Sequence, residues 1–163
     1  KLIVNLNHHI LINDKKLPEL VAKLLTIIGS KLSHPLILQF SEHALQQNLS
    51  QAQTQIALLR QFGAEISIRN FGDSLYSDSI LKQIDTQYLS FHPKLSKMLD
   101  SDKHMPALQE KILHYIAQKP VEILLPDLND MSLFANAWNV EARYLQGNYF
   151  QKKLDRLTDV QDQ

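Results

Sequence analysis

Cysteine is absent from this 163-residue chain, which excludes disulfides, thiolate zinc sites and thiol redox chemistry and fits a reducing compartment. Glycine (four) and proline (six) are scarce, so no Gly/Pro/Ser-rich linker or low-complexity tract divides the sequence. Charge of one sign is lacking too, because 17 Lys+Arg offset 17 Asp+Glu. Without a global field, a nucleic-acid partner and an anionic membrane surface are both disfavoured. No apolar run approaches the roughly 18 residues that cross a bilayer, and the opening Lys1 to Asn7 is too short for the apolar part of a signal peptide. What is present is a 44% hydrophobic composition, enough to bury the core of one compact domain. The expectation is a cytoplasmic domain without membrane insertion.

Short apolar runs rich in Ile, Leu and Val recur at Leu2 to Leu6, Pro35 to Phe40, Glu65 to Ile68, Tyr88 to Phe91, Val121 to Leu125 and Arg143 to Leu145. Each reads as a strand buried on both faces. Between them lie amphipathic stretches at Leu17 to Ile28, Leu49 to Phe62, Asp78 to Ile84, Leu108 to Gln118 and Met131 to Trp138. Apolar spacings of three and four, as in Leu20, Leu24, Leu25 and Ile28, mark helices that pack one face on a sheet. Gly63 stands where a helix ends, Pro35 and Pro120 precede strands, and Ser50 and Asn129 suit helix N-caps. Alternating strands and helices imply parallel strands joined by right-handed crossovers, in an open doubly wound sheet or a closed barrel. Periodicity does not choose between the two. A (β/α)₈ barrel takes about 250 residues, so a barrel would lack roughly its first quarter to third here, whereas an open sheet fits the length as it is.

The stretch from Gln55 to Gly72, QIALLRQFGAEISIRNFG, resembles the segment of EAL domains written ALxxLRxLGxxIxLDDFG, with Arg69-Asn70 in place of the acidic pair. The resemblance runs from the first residue to about Leu154. Val4 to Asn7 is similar to the VNLS strand end, and Leu36 to Leu45, LILQFSEHAL, to LELEITESAL. Phe71 to Ser74 is similar to FGTG, Tyr88 to His92 to xIKID, Leu125 to Asp130 to AEGVET, and Gln146 to Phe150 to QGYxF. The part of the family that carries the EAL tripeptide has no counterpart. The resemblance implies an EAL-type TIM-like (β/α) barrel over residues 1–154, incomplete at its N-terminus, followed by a polar tail over residues 155–163.

Active members of that family hydrolyse the cyclic dinucleotide c-di-GMP with divalent metal ions held by carboxylates and one Asn, since a metal-bound water is a nucleophile near neutral pH. Asn5 matches that Asn. Gln39 stands for a metal-binding Glu, Arg69 and Asn70 for the Asp pair, and Pro126 for another Glu. Ser90 replaces the lysine and Asn129 the later glutamate. An amide brings no charge, proline no side-chain ligand, and arginine repels a cation. The resemblance therefore implies a chain with no catalytic residues, no metal and no cofactor, which works by binding. Asn5, Arg69, Asn70 and Gln146 are its candidate contacts to c-di-GMP as a regulatory ligand.

Each candidate has a plainer reading. Arg69 would pair with a nearby carboxylate, Asn5 would be a satisfied buried amide, and Gln146 would brace its loop. His8 and His9 point to opposite faces of a strand and suit solvent better than a shared metal. His92 suits capping or packing. Phe134, Trp138, Tyr144 and Tyr149 suit the core, and Glu42, in the ITE position, suits a hydrogen bond that braces a loop. The segment Ile123 to Asp127, with proline in the AEG position, followed by Trp138 and QGNYFQ, resembles the non-catalytic EAL domains of FimX-type regulators of type IV pili and twitching motility. That likeness implies a protein partner, such as a PilZ-type adaptor, or a homodimer. Alternatives are a protein-interaction domain that has lost the nucleotide, and an altered phosphodiesterase.

Overall fold

The computed structural model describes residues 3–6, 19, 22, 23, 26, 35–140, 144 and 145. They divide into two compact units between Leu89 and Ser90. In the first unit, β1 (Ile3–Asn5), β2 (Ile37–Ser41) and β3 (Glu65–Phe71) run parallel. The fourth strand, β4 (Tyr88–Phe91), starts in this unit. β2 leads into two helices, α1 (Glu42–Gln47) and α2 (Leu49–Gln61), and β3 leads into α3 (Ser77–Gln83).

Register explains the layering. Leu38 lies opposite Ile66 and Phe40 opposite Ile68, and all four are buried. α2 turns Ala52, Ile56 and Leu59, spaced by four and three, into the core. Each such aliphatic or aromatic side chain contributes about 1.5–3 kcal/mol by leaving water. The alternate residues Gln39 and Ser67 lie opposite each other on the other face, where the sheet is polar. α2 stops at Gly63, whose φ of +89° only glycine adopts without strain, and whose N–H donates to the Arg60 carbonyl at 3.0 Å.

The second unit holds α4 (Pro93–Ser96), a 3-10 turn (Lys97–Asp100), α5 (Met105–Gln118), β5 (Glu122–Leu125), α6 (Met131–Ala137) and β6 (Tyr144–Leu145), which runs parallel to β5. α5 buries Leu108, Ile112 and Tyr115, and the Tyr115 ring meets Phe91 edge-on with centroids 5.9 Å apart. Asn136 Nδ2 donates to the Leu99 carbonyl at 2.9 Å and ties α6 to the 3-10 turn.

Strands and helices thus alternate as expected, with several corrections. Burial on both faces holds only for parts of β2 and β3: β1 is largely exposed, and β4 and β5 alternate half-buried with buried residues. β3 runs past Ile68, its expected end, through Arg69, Asn70 and Phe71. α5 begins at Met105, with Pro106 in the first turn where a missing N–H costs nothing. Asp130 caps α6 in place of Asn129, accepting from Ser132 N at 2.7 Å, and Asn48 stands at the start of α2 in place of Ser50. The expected helix at 17–28 is described only at Glu19, Ala22, Lys23 and Thr26, which are helical. Trp138, expected in the core, is 73% exposed.

Candidate functional site

The C-terminal ends of β1, β2 and β3 bring Asn5, Gln39 and Arg69 into one neighbourhood. Asn5 lies opposite Gln39, Gln39 opposite Ser67, and Ser41 opposite Arg69. Gln39 Nε2 donates to Ser67 Oγ at 2.9 Å, so both side chains stand on the polar face of the sheet. Arg69, two residues beyond Ser67 on the same strand, projects to that face as well. Asn70 breaks the alternation with a left-handed φ of 53°, which returns Phe71 to the core. Asn and Asp tolerate this conformation better than other non-glycine residues.

Asn5 and Arg69 are exposed and Gln39 is half-buried. Asn5 is therefore not a buried amide. Arg69 makes no ion pair with a described residue, so the carboxylate partner of its plainer reading is not found among them. Ser67 was missed in the sequence. Its signal there was a small hydroxyl inside an apolar strand, two residues before Arg69.

The loop after β3 is fixed by Glu42, the first residue of α1. Glu42 is 4% exposed, and its carboxylate accepts from Gly72 N at 2.9 Å, from Ser77 Oγ at 2.7 Å and from Ser74 Oγ. No described cation pairs with it, so hydrogen bonds alone offset its burial, together with its place in the first turn of a helix. The loop-bracing role expected for Glu42 is present. Its consequence is that the end of β3, where Arg69 and Asn70 sit, leads into a held loop. Leu75, at the loop tip, is 98% exposed.

The remaining candidates lie in the second unit or outside the described residues. Ser90 is half-buried in β4, Pro126 is buried just after β5, and Asn129 is exposed, its N–H donating to the Asp127 carbonyl at 2.9 Å. His92 caps α4, accepting from Lys94 N at 3.1 Å, which is the capping role its position suggested. His8, His9, Gln146 and Tyr149 lie outside the described residues, as does the side chain of Tyr144.

The described polar groups at the strand ends are the amides of Asn5, Gln39 and Asn70, the Ser67 hydroxyl and the Arg69 guanidinium. They fit a divalent ion poorly: no amide carries charge, and Arg69 is itself a cation. Among the described residues no three His, Asp or Glu side chains gather as metal ligands would.

A model of the EAL domain family matches residues 1–153. Among solved structures, the chain is similar to the FimX EAL domain from Pseudomonas aeruginosa bound to c-di-GMP, with a TM-score of 0.82 and 24% identity over 93% of this chain and 61% of that one. A second FimX EAL domain structure gives a TM-score of 0.83 and 26% identity, covering 93% and 60%. The EAL domain of Mycobacterium smegmatis DcpA gives 0.76 and 16%, covering 89% and 64%. The chain thus spans about three-fifths of the length of these structures. A search of curated proteins returned no match. The folds decide for the TIM-like barrel over the open doubly wound sheet. With its α/β order, its parallel strands and a family match over nearly its whole length, this chain belongs to the EAL domain family.

Proposed function

We propose that this chain is a non-catalytic EAL module that works by binding, with c-di-GMP as its effector ligand and a protein as its output. The observation that carries the proposal is the donor set at the ends of β1, β2 and β3: Asn5, Gln39, Arg69 and Asn70 can donate hydrogen bonds to an anion but do not gather carboxylates around a metal. Activating water for attack on a phosphodiester rests on the metal and its charge, and loss of even one electrostatic donor costs about a hundredfold in rate. The likeness to FimX EAL domains, one of them solved with c-di-GMP, supports the ligand class.

In this reading the ligand's phosphates and base edges meet Asn5, Arg69, Asn70 and Gln146, without metal or cofactor. The output is a protein contact in the cytoplasm, through a PilZ-type adaptor or a homodimer, in the control of type IV pili, twitching motility or biofilm. Among the described residues no helix is long and apolar enough to cross a membrane. A second reading, a scaffold that acts by protein contact alone, is favoured by one observation: Trp138 and Met131 are 73% and 59% exposed on and beside α6, and tryptophan is enriched among the anchors of protein interfaces. Isothermal titration of the whole polypeptide carrying this chain against c-di-GMP, in EDTA, separates the two. Micromolar or tighter binding supports the effector, and absence of heat leaves the scaffold.

A further inference from the structure

We propose that Arg69 takes the electrostatic place of the divalent cation that the fold family implies, so that the strand-end face is an anion site with its positive charge built into the chain. The inference rests on the reading that this face takes an anionic ligand.

Three observations carry it. First, Arg69 is exposed on β3 and makes no ion pair with a described carboxylate. Second, the polar side chains placed around it are neutral: Ser41, its partner in register, and Asn5, Gln39 and Ser67, which align with one another two residues earlier along the strands. Third, Glu42, at the same end of β2, does not oppose the cation. It is buried and its oxygens are occupied by Gly72, Ser74 and Ser77.

A divalent ion brings charge but needs anionic ligands to hold it. Anionic ligands would in turn cancel an arginine. A face therefore holds one arrangement or the other. A guanidinium binds two oxygens of a phosphate or phosphodiester through parallel N–H bonds, remains charged at any physiological pH and does not dissociate when the solution is depleted of metal. The ligand class is an oxyanion of phosphorus, supplied by a cyclic dinucleotide or by a free phosphate.

The test uses c-di-GMP and inorganic pyrophosphate as separate probes. The Arg69 Nε–H resonance is followed by NMR in the wild type, with EDTA and then with magnesium. The expected result is a saturable shift with at least one probe, unchanged by metal. In Arg69→Met affinity should fall roughly ten- to a hundredfold, as expected on losing hydrogen bonds to a charged group. Arg69→Lys should recover part of it. The substitution lies on the surface, and circular dichroism checks that the variants fold.

A converse variant, Gln39→Glu/Arg69→Asp/Asn70→Asp, should bind Mn²⁺ in an electron paramagnetic resonance titration in which the wild type does not. If c-di-GMP binds but Arg69 neither shifts nor matters, this inference is overturned and the effector reading stands. If only pyrophosphate shifts Arg69, the effector reading falls and the anion site stands. Binding that needs added metal, Mn²⁺ held by the wild type at this face, or no response to either probe overturns the inference.

Discussion

At the scale of the residue, this chain places single side chains where backbone groups would otherwise lack partners. Glu42 is one case. Glu42→Gln keeps the shape but turns an N–H₂ group toward Gly72 N–H or toward the serines, so one donor loses its acceptor. The expected cost is about 1–3 kcal/mol, read as a lower urea midpoint, with faster proteolytic nicking of the loop after β3. Gln87 is another. Its side-chain Oε1 accepts from Ile66 N at 2.8 Å while its own N–H donates to the Ile66 carbonyl at 3.0 Å. Gln87 thus pairs twice with one residue of β3. Gln87→Leu leaves the Ile66 N–H without a partner and should destabilise by about 1–3 kcal/mol in the same urea experiment. Tyr88→Phe, which removes the 2.9 Å bond to half-buried Glu65, should cost less, about 1 kcal/mol.

At the scale of the element, ends matter more than middles. The turn after α2 needs φ near +89° at Gly63, and a Cβ there would meet nothing within 4 Å. Gly63→Ala therefore tests backbone strain without a clash. It should lower stability by about 1–2 kcal/mol by thermal or urea unfolding, and Gly63→Asn by less. At the start of α6, the hydrogen bonds from the Ser132 side chain and backbone hold the Asp130 carboxyl below the ordinary aspartate range. A folded value below the unfolded one means that the cap stabilises α6 above the unfolded value and that this contribution is lost as pH falls through the folded one. A carbon-detected NMR titration of Asp130 should give a midpoint below that of an aspartate in an unstructured peptide, and Ser132→Ala should raise it.

At the scale of the whole molecule, charge and what a barrel end holds decide the chemistry. If the family's chemistry has gone, the polypeptide carrying this chain should release no linear dinucleotide from c-di-GMP, with magnesium or manganese, above a no-protein control. Turnover under those conditions would sink the non-catalytic reading. The sequence by itself determined the order of strands and helices, because apolar spacing is written residue by residue, and it carried the family in the run from Gln55 to Gly72. It also placed His92 in a local role, since its cap partner Lys94 is close in sequence, and the resemblance gave Glu42 a loop-bracing role, whose partners Gly72, Ser74 and Ser77 only the fold brings to it. Only the tertiary structure decided that Gln39 would reach across to Ser67, that β3 would carry Arg69 and Asn70 to its end, and that Trp138 would face water. Those outcomes depend on strand register, on one left-handed residue and on which helix face finds a partner, and none of these is a property of a residue and its sequence neighbours alone.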